Sequence, residues 1–319
     1  MRHHILRSLV LCLFVVAAIV GPAIATSTLA AGSGGLPRDS HGRLEVGGIA
    51  RTYDIHFPPA FDGHASLPAV LALHGGVGTG EGMARLTHFN DVSNRQGFVV
   101  VYPNAIQSRW ADGRGTTSSE RTGIDDVGFL SALVTHLATE FHVDARRIYA
   151  TGISNGGFMV GRFACERADR IAAVAQVAAT MAEPLAGRCH PARAVPMLFI
   201  HGSRDHLVPW QGGSVPVGAG GRILSVPATV AMWAKLNGCA PAPTQSALVQ
   251  RGAVDPTVQR EVYRACAEGA EVVLLAIDGG GHTWPGGIQY LPEWVVGWTY
   301  SDLDASEVIW EFFRAYPKR

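Results

Sequence analysis

A serine lies between two glycines where an apolar segment gives way to a helical pattern. Residues Gly152–Gly156 read GISNG and follow the apolar segment Ile148–Thr151. A tight strand-to-helix turn requires glycine on both sides of the serine, since larger side chains would collide there, and it projects the serine above the sheet. The N-terminus of the following helix also favours negative charge. The pattern therefore predicts that Ser154 is a nucleophile.

A serine hydroxyl becomes reactive only when a base removes its proton, and a carboxylate usually orients that base. His282 lies in a glycine-rich turn after the apolar segment Val272–Ile277, and Asp205 follows the apolar segment Met197–Ile200. The chain order serine, aspartate, histidine is that of α/β-hydrolases. We therefore predict that Ser154, Asp205 and His282 form a catalytic triad.

Each member of the triad also has a structural interpretation. His282 is alternatively a loop histidine packed on Trp284, and Asp205 a surface turn residue. Asp278 is the main alternative acid, but it lies too close in sequence to His282 to orient the imidazole well.

The anionic intermediate of acyl transfer needs hydrogen-bond donors that are already in place. Asn155 directly follows the predicted nucleophile and offers one main-chain N–H. The segment Leu73–Gly76, which reads LHGG, follows an early apolar segment and offers the second, from Gly76 or, next in order, Gly75. The prediction is an oxyanion hole of Gly76 and Asn155; the alternative is a plain turn.

Strand-like and helical patterns alternate along the chain, which is typical of a mostly parallel sheet with helices on both faces. We therefore expect the α/β-hydrolase fold. The predicted strands are Thr52–Phe57, Ala69–Leu73, Phe98–Tyr102, Ile148–Thr151, Ala172–Val177, Met197–Ile200 and Val272–Ile277.

Two helices are clearly indicated. One has its apolar residues at spacings of three and four, namely Val127, Leu130, Val134, Leu137 and Phe141. The other begins at Asp304 with Glu307 in a capping box, and its predicted buried residues are Val308, Ile309, Phe312, Phe313 and Tyr316.

The N-terminal residues are typical of an export signal, because Arg2 and Arg7 precede an apolar run that ends in a small-residue cleavage pattern. We predict a signal peptide at 1–25, a flexible leader at 26–43 and a single catalytic domain at 44–319. The apolar run is shorter than the roughly 20 residues of a membrane span. A secreted protein, extracellular or periplasmic, without stable membrane insertion after cleavage is therefore expected over a membrane anchor.

Four cysteines follow the signal: Cys165, Cys189, Cys239 and Cys266. Three pairings are possible, and we favour the local pairs Cys165–Cys189 and Cys239–Cys266 because each closes a short loop. A zinc site is the alternative, but the chain has no Cys-x-x-Cys spacing.

Composition argues against several classes of protein. The 319 residues carry 26 basic and 26 acidic side chains, which gives no electrostatic reason to bind nucleic acid. No His-Glu-x-x-His arrangement predicts a metal, and the stretch Gly75–Gly82 lacks the lysine of a phosphate-binding loop. We expect no cofactor, and a small-molecule or polymeric ester as the substrate.

Several motifs together resemble those of secreted polyhydroxybutyrate depolymerase and feruloyl esterase-like hydrolases, which are related to xylan-acting carbohydrate esterases. The resemblance extends from about residue 47 to the C-terminus and rests on LHGG at 73–76, DDVGF at 125–129, GISNGG at 152–157, HGSRD at 201–205 and GGGHTWPGG at 279–287. It implies the same triad, supports the same disulfides, and leaves hydroxyacid, phenolic and simple acyl esters open as substrates. Gly76 stands where many relatives carry cysteine, so its predicted role depends on main-chain position only.

Aromatic residues near the predicted site are candidates for contacting the substrate. We select Trp110 and Trp284; Trp110, with Asp112, is similar to a tryptophan-containing segment of the family. Residues 288–300 carry four more rings, which either form a pocket or bury one another. Asp125 and Asp126 are expected to be structural, because acids are favoured where a helix starts.

Two other functions remain open from sequence alone. One is a secreted protein that binds polysaccharide or polyester on a hydrolase scaffold without cleaving it. The other is a serine peptidase.

Overall fold

The computed structural model describes residues 38–248 and 258–318. The predicted signal peptide, and the leader up to residue 37, lie outside this part of the chain. No helix within it is long and apolar enough to cross a membrane.

Twelve strands are formed by the described residues. They are β1 (Asp39–Val46), β2 (Ile49–His56), β3 (Ala69–Leu73), β4 (Val99–Pro103), β5 (Ile148–Ile153), β6 (Val174–Val177), β7 (Met197–Gly202), β8 (Gly213–Ser214), β9 (Arg222–Ile223), β10 (Thr244–Leu248), β11 (Val258–Tyr263) and β12 (Val272–Ile277).

The helices are α1 (Gly80–Thr87), α2 (Phe89–Gln96), α3 (Ser118–Arg121), α4 (Asp126–Glu140), α5 (Asn155–Arg167), α6 (Glu183–Ala186), α7 (Val226–Leu236), α8 (Glu293–Val296) and α9 (Ala305–Arg314). Short 3₁₀ helices occupy Ile106–Ser108, Ala168–Arg170 and Ala267–Gly269.

Ten of these strands form one sheet in the order β1-β2-β4-β3-β5-β6-β7-β12-β11-β10. The central strands β4, β3, β5, β6, β7 and β12 run parallel to one another. At one end of the sheet β2 pairs antiparallel with β4 and with β1, and at the other end β11 pairs antiparallel with β12 and with β10. Because parallel strands end at the same edge, β3, β5, β7 and β12 deliver the segments that follow them to one side of the molecule. This edge is where open α/β sheets bind ligands.

The central strands are apolar along their whole length because helices cover both faces of the sheet. All five residues of β3 are buried. Leu71 and Leu73 pack into one core, while Val70 and Ala72 pack into the other. Successive side chains of a strand point to opposite faces, so a single short strand contributes to both cores.

The two predicted helices are confirmed. In α4, Val127, Leu130, Val134 and Leu137 are buried. In α9, the Asp304 carboxylate caps the first turn as expected.

The predicted role of Glu307 in α9 is wrong, because its carboxylate pairs with Arg95 of α2 rather than completing a capping box. Ile309 and Phe313 are fully buried, whereas Val308, Phe312 and Tyr316 are only partly buried.

The predicted leader extends too far. Strand β1 begins at Asp39, within 26–43, and pairs with β2 from Asp39↔His56 to Val46↔Ile49. Its polar composition gave no strand signal, because an edge strand exposes much of its surface. The other edge strand, β10, gave no signal for the same reason, and its neighbour β11 gave none because only two of its six residues are buried.

Both local disulfides are confirmed, with sequence separations of 24 for Cys165–Cys189 and 27 for Cys239–Cys266. The first joins α5 to the segment after α6. The second joins the chain beyond α7 to the chain beyond β11, which ties an edge of the sheet to its covering helix.

Candidate active site

Ser154 occupies the turn between β5 and α5 in a strained conformation, with φ 55° and ψ −123°. Its N–H donates to the carbonyl of Val177 at 3.0 Å, and its carbonyl accepts from the N–H of Phe158 at 2.9 Å. A non-glycine residue at positive φ is uncommon and persists only where its surroundings hold it. Here the neighbouring strand and the first helical turn hold it.

The glycines around Ser154 are required by close backbone approach. A Cβ atom on Gly152 would lie 2.6 Å from the carbonyl carbon of Gly156, and one on Gly156 would lie 2.4 Å from the carbonyl oxygen of Leu73. Both contacts are far shorter than van der Waals separation. The pattern GISNG therefore reflects how tightly α5 starts against β3 and β5.

Asp205 and His282 meet where β7 and β12 end. Nδ1 of His282 lies 2.8 Å from Oδ2 of Asp205, and both side chains are buried. Oδ1 of the same carboxylate accepts the main-chain N–H groups of Leu207 and Val208 at 2.8 and 2.7 Å. With Nδ1 donating to Asp205, Nε2 is the ring nitrogen able to accept a proton.

The electrostatics around Asp205 favour its charged form. Burial alone raises the pKa of this carboxyl, but the adjacent His282 and the N–H of Val208 outweigh burial and bring the pKa below its usual value. Asp278, the alternative acid, accepts from the hydroxyl of Ser203 at 2.9 Å and is exposed. The structure thus brings Asp205 to His282.

A second histidine near Asp205 was missed by sequence reasoning. Nε2 of His201 lies 3.0 Å from the carbonyl oxygen of Val208 and 3.5 Å from Oδ2 of Asp205. Burial lowers the pKa of His201, so the ring is neutral and supports the loop that carries the aspartate. The motif HGSRD contains this histidine, but its position at a strand end gave no separate signal.

The segment predicted to form the oxyanion hole follows β3 directly. A Cβ on Gly75 would lie 3.5 Å from Cβ of Ser154, and one on Gly76 would lie 3.8 Å from Cβ of Asn155. The next residue, Val77, has φ 60° although it is β-branched, and its N–H donates to the carbonyl of Ser108 at 2.8 Å. The segment is therefore held in a strained shape beside the serine.

The side chain of His74 links this segment to the loop that follows β4. Its Nδ1 lies 2.7 Å from the carbonyl oxygen of Gly75, and Nε2 accepts the N–H of Ala105 at 3.2 Å. Burial lowers the pKa of His74. A neutral ring with its proton on Nδ1 satisfies both contacts.

The side chain of Asn155 fixes a second loop. Its Oδ1 accepts the N–H of Trp110 at 2.8 Å, and its Nδ2 donates to Oδ2 of Asp112 at 2.6 Å. Asp112 is also bound by Arg114 at 2.7 Å. Sequence reasoning selected Asn155 for its main chain only, and nothing in the sequence showed that its amide joins α5 to residues 110–114.

The expectation that Trp110 and Trp284 contact the substrate is wrong. Trp110 is 0% exposed and its indole N–H donates to the carbonyl of His74 at 2.9 Å. Trp284 is 1% exposed and donates to the hydroxyl of Ser306 at 3.1 Å. Both rings fill space between secondary-structure elements, and both indole N–H groups are hydrogen-bonded there. The two tryptophans therefore support the site from the core and do not face the cavity.

The aromatic residues of 288–300 were expected either to form a pocket or to bury one another, and the structure shows some of each. Tyr290 lies at the site, and its hydroxyl donates to the carbonyl of His282 at 2.8 Å. Trp298 packs edge-on against Tyr300, with ring centres 5.4 Å apart. Trp294 is 83% exposed.

Asp125 and Asp126 have the structural roles expected of them. Asp125 caps α4 through the N–H of Gly128. Asp126 pairs with Arg51 at 2.6 Å in the core.

A cavity of about 550 Å³ opens over Ser154 and His282, within the range of small-molecule sites. Most of its lining side chains are apolar: Val77, Met83, Leu86, Ile153, Leu207, Val208, Val215, Val217, Ala219, Ile288 and Leu291. Within residues 38–248 and 258–318, no group of three or more His, Cys, Asp or Glu residues is arranged to hold a metal ion.

A parallel sheet that delivers a serine turn, an aspartate and a histidine to one edge, in that chain order, is the arrangement of α/β-hydrolases, and this chain is one of them. Residues 51–231 match the family described as Esterase PHB depolymerase. The chain belongs to this family of carboxylic ester hydrolases, which confirms the fold class and the resemblance expected from the sequence.

Similar proteins agree with this assignment. The putative esterase NocK of Nocardia uniformis subsp. tsuyamanensis is 30% identical over 277 residues, covering 84% of this chain and 80% of that protein. Feruloyl esterase B of Piromyces equi is 31% identical over 236 residues; the match covers 72% of this chain but only 42% of that protein. The acetyl xylan esterase from Aspergillus awamori has a TM-score of 0.56 at 15% identity, covering 86% of this chain and 99% of that one, and so supports the fold alone.

Proposed function

We propose that the chain hydrolyses esters in two steps, through an acyl-enzyme formed on Ser154. As Oγ of Ser154 bonds to the carbonyl carbon, Nε2 of His282 takes the hydroxyl proton and then passes it to the leaving alkoxide as the ester C–O bond breaks. Water repeats the sequence and releases the acid. Asp205 holds the histidine in the tautomer that accepts the proton at Nε2.

The main-chain N–H groups of Gly76 and Asn155 are proposed to bind the oxyanion. Hydrogen bonds fix both segments. The N–H of Val77, next to Gly76, donates to the carbonyl of Ser108, and the side-chain amide of Asn155 is hydrogen-bonded to Trp110 and Asp112. Donors that are already in place lower the barrier because they need no rearrangement when charge develops.

The observation that carries this proposal is that the candidate nucleophile and the candidate base meet at one cavity. Ser154 and His282 both line it, and the histidine is bonded on its other side to a buried carboxylate. A binding protein has no physical reason to combine a strained serine with a buried histidine–aspartate pair.

The apolar lining and modest volume of the cavity favour a small acyl group. The substrates that we propose are short hydroxyalkanoate oligomers or polyesters, or feruloyl or acetyl esters, in keeping with the family and with the names of its relatives. We further propose that the protein is secreted, because the N-terminal sequence is typical of an export signal and two disulfides suit an oxidising compartment.

The test is the turnover of 4-nitrophenyl butyrate by the purified protein and by Ser154→Ala. Loss of the nucleophile should reduce kcat by at least about 10³-fold with an unchanged melting temperature. Ser66→Ala is the matched control, because Ser66 is exposed and does not line the cavity. A fluorophosphonate probe should label the wild type and Ser66→Ala but not Ser154→Ala.

The outcomes also separate the alternatives. A protein that binds polysaccharide or polyester without cleaving it would be neither labelled nor active. A peptidase would cleave peptide amides as well as esters, whereas an esterase would cleave esters only. Full activity in Ser154→Ala would overturn the proposal.

A further inference from the structure

One cation in the cavity has no role in the steps proposed above. Arg109 lines the cavity and is half-buried. Among the described residues its guanidinium has no hydrogen-bond or ion-pair partner. The other two arginines of the cavity are already paired, Arg114 with Asp112 at 2.7 Å and Arg85 with Glu81.

The guanidinium of Arg109 lies over the proposed oxyanion segment. Nη1 is 3.1 Å from the position that a Cβ of Gly76 would take, and 3.8 Å from the corresponding position at Gly218 in the opposite wall. Since Gly76 also borders Asn155, the cation lies beside the segment that follows β3 and faces the residue after Ser154.

The main chain at Arg109 is fixed, which limits where its side chain can reach. Its N–H donates to the carbonyl of Ile106 at 3.2 Å, and its carbonyl accepts the hydroxyl of Ser119. The next N–H, that of Trp110, donates to the side chain of Asn155 at 2.8 Å. The backbone that carries the guanidinium is thus joined to the residue that follows the nucleophile.

The described residues that line the cavity include arginines but no carboxylate. Asp205 and Asp112 are buried behind His282 and Arg114. A cation between apolar walls attracts anions more strongly than one in bulk water, and the planar guanidinium matches a carboxylate with two parallel hydrogen bonds.

We propose that Arg109 binds an ionised carboxylate of the substrate, so that the enzyme prefers esters carrying a second, free carboxylate. Two sources share this chemistry: a monoester of a dicarboxylic acid, with the carboxylate in the acyl half, and the free carboxyl end of a hydroxyacid oligomer, with the carboxylate in the alcohol half. The inference rests on the proposed hydrolysis at Ser154 and names the substrate class of that site.

The test compares charged and neutral esters in matched pairs. One pair is mono-4-nitrophenyl glutarate and 4-nitrophenyl butyrate; the other is 3-(butyryloxy)butanoate and its methyl ester. For the preferred pair, Arg109→Gln should lower the ratio of kcat/KM for the charged over the neutral ester by about 10- to 100-fold, the effect of one charge-assisted hydrogen bond. The loss should lie mainly in KM, since the free carboxylate takes no part in bond making or breaking and is bound equally in ground and transition states.

Two further variants serve as controls. Arg85→Gln removes a positive charge at the same cavity that is already paired with Glu81, and should change the ratio by less than about threefold, as expected for an exposed ion pair. Arg109→Lys keeps the charge without the planar fork and should give a ratio between those of the wild type and Arg109→Gln. The pair whose ratio falls identifies which half of the ester carries the carboxylate.

An unchanged ratio in both pairs would overturn the inference. So would an equal loss of kcat on charged and neutral esters, because Arg109 would then stabilise the oxyanion segment instead. These results are distinct from failure of the proposed function, in which turnover would persist in Ser154→Ala whatever residue stands at 109.

Discussion

Replacing Asp205 by asparagine preserves the shape of the side chain but reverses one hydrogen bond. Oδ1 accepts the N–H groups of Leu207 and Val208, so the amide oxygen of asparagine would occupy that side and its NH₂ would face His282. Nδ1 would then have to accept, which leaves the proton on Nε2. In that tautomer the histidine cannot take the proton of Ser154.

The expected loss follows from this geometry. A wrong tautomer in an otherwise intact triad reduces kcat by about 10⁴-fold, or about 5.5 kcal/mol of transition-state stabilisation. KM should change little, since Asp205 does not line the cavity. The asparagine can still form hydrogen bonds on both sides, so the melting temperature should fall by no more than about 2–4 °C, the shift expected for about 1 kcal/mol in a large domain.

The assay is the kcat for 4-nitrophenyl butyrate, measured beside a thermal melt of each variant. Asp278→Asn is the matched control, because Asp278 is the other carboxylate near the histidine in sequence and is bonded to Ser203 instead. Its kcat should stay within about threefold of the wild type, as for a surface substitution. Asp205 does not orient His282 for proton transfer if Asp278→Asn loses more activity than Asp205→Asn, or if Asp205→Asn retains more than a tenth of wild-type kcat while folded.

Two predictions concern stability. Gly156→Ala should lower the free energy of unfolding by about 1–3 kcal/mol or more, because its Cβ would lie 2.4 Å from the carbonyl oxygen of Leu73; Gly187→Ala, with nothing within 4 Å of its Cβ, should be neutral or slightly stabilising, and equal denaturation midpoints for the two would contradict the steric argument. His74 and His201 have pKa values lowered by burial from the ordinary 6.5, so below that pH the unfolded chain binds protons that the folded chain does not. Stability should therefore fall as pH drops from 7.5 to 5.5, by at most about 1.4 kcal/mol per pH unit for each histidine, and a melting temperature that is constant or rises over this interval would show that they are not buried as neutral rings.

Local sequence was sufficient for the elements whose chemistry is local. The glycines around Ser154 are needed by the turn itself, so the turn could be predicted from five residues. The apolar spacing of α4 likewise follows from the helical period. The short loops closed by Cys165–Cys189 and Cys239–Cys266 made those pairings the favoured ones before any fold was known.

Edge strands and large aromatic residues were less predictable. Strand β1 is polar because it lies at the edge of the sheet, and polarity in a Gly- and Ser-containing segment also indicates a leader. Trp110 and Trp284 lie in motifs near the site, but a motif shows only that a residue is close along the chain to a functional one. Whether its ring faces the cavity or the core depends on packing from other elements.

The sequence by itself determined the fold class, the glycine-bounded turn at Ser154 and the chain order of Ser154, Asp205 and His282, and it favoured both disulfides, because each depends on residue type, period or short separation. Only the tertiary structure decided that Asp205 rather than Asp278 reaches His282, that the amide of Asn155 joins two loops, and that Arg109 is a half-buried cation in a cavity without acidic lining residues in the described part of the chain. These features depend on groups tens of residues apart that meet at the ends of parallel strands, and the pattern of neighbouring residues carries no information about such distances.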